Sequence, residues 1–179
     1  MRYRNRLVLL ASVAGIAAQP AIVAYLVLVD NVGSDEVLDL VALLSMASLF
    51  AWFCVRVGIQ PLIVCEGSTI VVRNPLLSYQ AQLSEVQFLA KGGRFALLFD
   101  GVGHVQPWVL SRSVFDGDKA RSARRALRER IQEARISRVE GKEMKGARRW
   151  VRVGAPDVLL LLPLVFLVWN VIDVASGNY

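Results

Sequence analysis

Residues 7–29 read LVLLASVAGIAAQPAIVAYLVLV, without one charged side chain. A helix needs about 20 predominantly apolar residues to cross the hydrocarbon layer of a bilayer, and this stretch exceeds that length. The preceding MRYRNR is basic, as it is in a secretory signal. Such a signal has an apolar core of only about 7–15 residues, followed by a small-residue cleavage site. Nothing near Asp30 resembles such a site, so the stretch reads as a retained transmembrane helix.

Working outward, two further apolar blocks appear. Residues 40–55 read LVALLSMASLFAWFCV, extending back to 37 when Asp39 sits at the interface. Residues 158–172 read VLLLLPLVFLVWNVI, extendable to 175. Both are near the short limit, so shared packing or mismatch with the bilayer is expected. The chain of 179 residues is 55% hydrophobic and 20% charged, with a mean hydropathy of +0.45. Soluble domains run about 45–50% apolar with about a quarter charged. The apolar excess sits in these three blocks, which excludes disordered, collagenous and disulfide-scaffold classes and fits a single soluble globule poorly.

Pro20 and Pro163 interrupt the first and third blocks and leave backbone carbonyls free. Gln19 and Asn170 stand nearby and read as groups that re-satisfy the backbone and join helices, rather than as a transport site. No ionisable residue lies near the middle of a block, where a proton or ion pathway would place one.

Orientation follows from the cations. Arg2, Arg4 and Arg6 precede the first block, and the other eighteen Lys and Arg all lie from Arg56 to Arg152. The loop DNVGSDEVLD and the tail DVASGNY have none. Basic flanks stay cytoplasmic, so the expected protein is a multi-pass plasma (inner) membrane protein. Its organisation reads as a basic cytoplasmic arm (1–6), a first span (7–29), an external loop (30–36) and a second span (37–55). A cytoplasmic domain (56–138), a basic linker (139–155), a third span (156–175) and an external tail (176–179) follow.

The segment between the second and third spans has a different texture. Short apolar or alternating runs at about 57–64, 69–73, 76–83, 86–90, 94–99 and 104–110 are separated by Glu66-Gly67, Asn74-Pro75, Gly92-Gly93 and Asp100-Gly101. Gly-Gly and Asp-Gly between β-rich runs are hairpin signals, because they accept positive φ at little steric cost. Pro75 and Pro107 belong at strand margins. From about Asp116 the period changes. Asp116 or Asp118 could cap a helix in which Ala120, Ala123, Leu127, Ile131 and Ala134 share one face. The expected fold is α+β: three transmembrane helices plus an antiparallel cytoplasmic β-barrel or sandwich closed by a C-terminal amphipathic helix. Beyond Ile136 the chain reads as polar linker.

This order of hairpins closed by one helix resembles a pleckstrin-homology (PH) domain, and in particular the bacterial PH-like domains of small actinobacterial membrane proteins. The local likeness lies in Glu66-Gly67-Ser68-Thr69-Ile70-Val71-Val72-Arg73-Asn74, an acidic-Gly turn into a strand ending in Arg-Asn. Leu83-Ser84-Glu85-Val86 stands where the family often has Trp-Ser-Glu-Ile, with Leu83 in place of the Trp. Residues 95–101, FALLFDG, resemble the hairpin before the family's last strand. The resemblance covers about residues 58–134. It implies a binding or scaffolding module with an unidentified protein partner, and it carries over no catalytic residues.

Enzyme chemistry has few groups to draw on. His104 is the one histidine and reads as a surface or hairpin residue. Cys54 falls in a span and Cys65 in a strand, which suggests two buried, reduced thiols and no zinc site. Gly101-Val102-Gly103 is only a fragment of a dinucleotide fingerprint. Lys91-Gly92-Gly93-Arg94 could hold a phosphate, but a hairpin explains it more simply. Asp100, Asp116 and Asp118 lack calcium-loop spacing. No enzyme, cofactor or metal is read, and no aromatic platform for nucleic acid.

One feature invites a function. Residues 119–152 hold thirteen Lys/Arg against four Glu, a net +9. Near an anionic membrane surface each such cation gains about 1 kcal/mol. Arg121, Arg124, Arg125, Arg128, Arg148, Arg149 and Arg152 are therefore candidate contacts for anionic headgroups of the bilayer. Topology determination with an ordinary solvated helix face is the second, compatible reading. The function expected is non-enzymatic display of a binding domain. Sensing of an anionic lipid surface, or service as an accessory subunit of a membrane enzyme or transporter, are the alternatives.

Overall fold

The computed structural model describes residues 1–33, 37–91, 94–110, 117–137 and 146–176. Over these described residues it is α+β, with three apolar helices and two antiparallel sheets. The chain divides into two compact units. One comprises residues 1–9 and 60–152, the other residues 10–59 and 153–179.

The first unit holds a five-stranded sheet in the order β1-β2-β3-β4-β8, built from Arg2–Tyr3 (β1), Leu62–Glu66 (β2), Thr69–Arg73 (β3), Leu77–Gln82 (β4) and Arg148–Val151 (β8). A three-stranded sheet follows the order β5-β6-β7, from Val86–Lys91, Arg94–Phe99 and Gly103–Val105. Neighbouring strands are antiparallel throughout. Glu66 pairs with Thr69 across Gly67-Ser68, and Gly67 has φ +54°, a conformation that costs glycine little.

Alternation sends Ile63 and Cys65 of β2, Ile70 and Val72 of β3, and Tyr79 and Ala81 of β4 inward. There they share one core with Val86 of β5, Phe95, Leu97 and Phe99 of β6, and Val105 of β7. Helix α3 (Gly117–Ile136) adds Ala123, Leu127 and Ile131 to that core, and Ala120 is buried as well. This is the apolar face its periodicity predicts. Leu97 and Leu127 are fully buried, which contributes about 1.5–3 kcal/mol each. Asn74 joins the β3–β4 turn to the chain after β7. Its Nδ2 donates to the Gln106 carbonyl at 3.0 Å, and its Oδ1 accepts the Trp108 N–H at 2.8 Å.

Several expected boundaries move. Residues 1–6 are not simply an arm, because Arg2 and Tyr3 pair with Val64 and Ile63. Residues 139–155 are not simply a linker, because Arg148–Val151 pairs with Leu77–Gln80 as β8. All four β8 side chains are exposed, so no alternation marks the strand, and the pairing runs through backbone groups. The run expected over 104–110 stops as a strand at Val105; Pro107 is fully buried, and a 3-10 turn covers Trp108–Leu110. Likewise Leu83–Glu85 is a 3-10 turn. The expected cap at Asp116 lies outside the described residues, and Asp118, the alternative, is already the second residue of α3 and not its cap. Gly92 and Gly93 also lie outside the described residues, but Lys91 pairs with Arg94 on either side of them, as a hairpin requires.

In the second unit, α1 (Arg6–Leu28, whose first turn belongs to the first unit), α2 (Val37–Phe53) and α4 (Leu161–Ser176) supply the apolar helices. A π-helical segment, Cys54–Ile59, extends α2, and a 3-10 segment, Ala155–Leu160, leads into α4. The stretches Arg6–Leu28, Val37–Ile59 and Ala155–Ser176 are each long and apolar enough to cross a membrane, and little of their apolar surface is buried. The second stretch thus runs to Ile59, past the expected end at 55. Arg56 belongs to it and not to the β-rich domain.

The proline gap in α4 is filled by an unexpected residue. Pro163 has no N–H for the Leu159 carbonyl four residues earlier, and Ser48 Oγ donates to that oxygen at 2.5 Å. Asn170 instead donates to Phe166 O at 2.7 Å within its own helix. Gln19 donates to the Ala47 carbonyl, joining α1 to α2.

Candidate functional site: two groups of cations

The four candidate arginines on α3 divide by use. Arg124 is half-buried: its Nη2 donates to the Leu110 carbonyl at 2.8 Å, and its guanidinium lies 6.0 Å from the centre of the Phe95 ring. Arg128, four residues on, stacks 4.6 Å from the Phe88 ring centre. Phe88 and Phe95 meet edge to face at 4.9 Å. These two arginines cover aromatic surface of the β5–β6 hairpin with their cationic heads, a contact worth about 0.5–1 kcal/mol at an exposed site. Arg121 and Arg125 are exposed, and Arg125 pairs with Glu129 at 3.2 Å along the helix. Such an exposed pair contributes little to stability.

Arg148 and Arg149 lie on β8, opposite Gln80 and Tyr79, and both are exposed. Arg152 follows the strand, half-buried, and its backbone N–H donates to Leu76 O at 2.9 Å. The seven residues thus form one set on a helix and another on a sheet edge.

A denser cationic site lies elsewhere, in residues that the sequence read as topology signals. A cavity of about 630 Å³ opens between β1, the first turn of α1 and the first turns of α3. Arg2, Arg4, Arg6 and Lys119 line it, with Tyr3, Leu9 and Ser122. None of these described lining residues is acidic, and none of the four cations forms an ion pair with another described residue. Burial pushes the Arg4 pKa below its ordinary value, and the charges of Arg2 and Arg73 push it the same way. Its Nε is buried without a hydrogen-bond partner. Asn5, itself buried, starts α1 by accepting the Val8 N–H on Oδ1 at 3.1 Å, and the first turn of α1 has no acid to offset the positive end of the helix dipole. The sequence signal was the alternation in Arg2-Tyr3-Arg4-Asn5-Arg6. What it lacked was Lys119, more than a hundred positions away.

The other chemistry-bearing groups stay apart. His104 is exposed on β7, and Cys54 and Cys65 are free and buried. Burial pushes the Cys65 thiol above its ordinary pKa, with partial opposition from the positive N-terminus and Arg130. Among the described residues no three His, Cys, Asp or Glu side chains are grouped to hold a metal. Comparison of the chain with protein-family models, curated proteins and solved structures finds no match.

Proposed function

We propose that this chain is a non-enzymatic integral protein of the inner membrane that presents a PH-like binding or scaffolding domain at the cytoplasmic face. The observation that carries the reading is the shortness of the joins. Arg4–Asn5 separates β1 from α1, Gln60–Pro61 separates the π-helical end of the second span from β2, and Arg152–Gly154 separates β8 from the start of the third span. With β1 and β8 at the two edges of one sheet, three joins of two or three residues hold the domain to three apolar helices. A module held so closely works within reach of the bilayer surface. The cations flanking the apolar helices support placing that surface inside the cell.

Hairpins followed by one closing helix, and the core they share, support the PH-like assignment. In-cell photo-crosslinking from exposed sheet positions such as Gln80 and His104 tests the binding role. A recurrent protein adduct that disappears when β5–β7 is disrupted by Leu97→Asp is expected. Crosslinks to lipid alone, or none under any growth condition, contradict the scaffolding role.

A second reading, contact with anionic lipid, is favoured by the exposure of Arg121, Arg125, Arg148 and Arg149. Salt-sensitive binding to anionic vesicles that weakens when these four become Gln supports it. Equal binding to neutral vesicles removes it.

A further inference from the structure

We propose that the cavity between β1, α1 and α3 is a binding site for a phosphate-bearing anion, held by Arg2, Arg4, Arg6 and Lys119. The inference deepens the reading above and rests on it only for the ligand's source, a lipid headgroup at the inner leaflet or a phosphate ester in the cytoplasm.

Four cations gathered on one concave surface repel each other, and nothing described within the cavity neutralises them. Arg4 bears most of the strain. It is partly desolvated, it faces the like charges of Arg2 and Arg73, and its Nε lacks a partner. A guanidinium stays protonated in proteins, so the fold carries this cost unless an anion offsets it. An unsatisfied buried donor in such a place calls for an acceptor. A phosphate supplies several acceptor oxygens and at least one negative charge, and arginine forks match its geometry. The Ser122 hydroxyl and the positive end of α1 add to the same field.

Size narrows the class. About 630 Å³ falls in the range of small-ligand sites and exceeds what a bare phosphate needs. Tyr3 and Leu9 offer apolar surface beside the cations. A phosphate carrying a small organic group, such as a glycerophosphate, fits both features. Leu9 belongs to the helix that continues as the first apolar stretch, which makes a lipid headgroup one source of such an anion.

The test uses the full-length protein in an uncharged detergent, titrated calorimetrically at fixed ionic strength. One arm adds inorganic phosphate. The other adds short-chain phosphatidylglycerol, with short-chain phosphatidylcholine as the reference. Saturable binding in either arm, with none to phosphatidylcholine, is expected, and the arm that binds more tightly identifies the source. Arg4→Met and Lys119→Gln should each weaken binding about tenfold. Arg135→Gln removes the same charge sixteen residues along α3, about 24 Å from Lys119, and should stay within about twofold. Arg4→Met should also melt no lower than the parent protein without anion, because it removes the strained charge. Should that variant fail to fold, Lys119→Gln decides alone. Absence of saturable binding in both arms, wild-type affinity in Lys119→Gln, or an equal loss in Arg135→Gln overturns the proposal. Detergent binding does not depend on topology, so its failure leaves the cytoplasmic-display reading untouched.

Discussion

Arg56 and Asp157 form a two-point ion pair between the π-helical end of the second apolar helix and the 3-10 start of the third. Arg56 Nε donates to Asp157 Oδ1 at 3.0 Å, and Nη2 donates to Oδ2. Trp52 Nε1 shares Oδ1 at 3.0 Å, and the Gly154 N–H reaches Oδ2 at 2.9 Å. Arg56 is only 2% exposed, and this carboxylate lies against its guanidinium to balance the buried charge. The π-helical segment shifts the register of the turn that carries it.

Removing one partner leaves the other charge stranded, which costs far more than removing both. Asp157→Asn should therefore lower the melting temperature of the detergent-solubilised protein clearly, by about 5 °C or more. The Arg56→Met/Asp157→Asn double variant should recover part of that loss. Additive losses in the double variant would show that the two residues act independently.

Ser48 and Pro163 should be coupled in the same way. Ser48→Ala removes the donor to Leu159 O and should cost about 0.5–1.5 kcal/mol. In a Pro163→Ala background the restored N–H can take that carbonyl, so the same substitution should cost little. A double-mutant cycle in detergent denaturation reads the difference, and an unchanged cost would separate the serine from the proline gap.

The buried Cys65 thiol makes an alkaline prediction. Its pKa is raised in the fold, so its contribution to stability is full below the unfolded value near 9 and is lost as pH climbs through the folded value. Stability should therefore fall above about pH 9, and Cys65→Ala should flatten that part of the profile. At pH 8 iodoacetamide should leave the native thiol unmodified and alkylate it after denaturation. Rapid native alkylation would place Cys65 at the surface.

Arginines on α3 should separate by role. Arg128→Gln loses the stacking over Phe88 and should destabilise the protein by about 0.5–1 kcal/mol, with little effect on binding to anionic vesicles. Arg125→Gln should do the reverse. Matching behaviour in both assays would mean that the helix face acts as one undivided patch.

Much of this fold is legible because it is written in local periodicity. The apolar spans, the hairpin turns at Gly67 and Gly101, and the inward face of α3 from Ala120 to Ile131 all follow from residue spacing. What escaped was written in backbone pairing or long-range convergence. β1 is two residues long, and β8 buries no side chain, so neither offers an alternation to read. Arg56 looked like the first basic residue of a cytoplasmic domain, because sequence cannot show that Asp157 lies within hydrogen-bonding reach. Asn74 was legible as a turn residue, but its bonds to Gln106 and Trp108 depend on where the chain returns. For the sites, composition points at the arginines of α3 and the segment before the third apolar helix. The more concentrated group needs Lys119 beside Arg2, Arg4 and Arg6, a proximity that only the folded chain creates.

Cysteine accessibility in intact cells shows on which side of the membrane the β-rich domain lies. Cys54 and Cys65 are buried, which leaves a low background for a membrane-impermeant maleimide. Asp100→Cys, in the exposed β6–β7 turn, should label only after the cells are opened, whereas Asp30→Cys, just past α1, should label in intact cells. Labelling of Asp100→Cys from outside, with Asp30→Cys protected, would put the β-rich domain on the opposite face and rule out display to the cytoplasm.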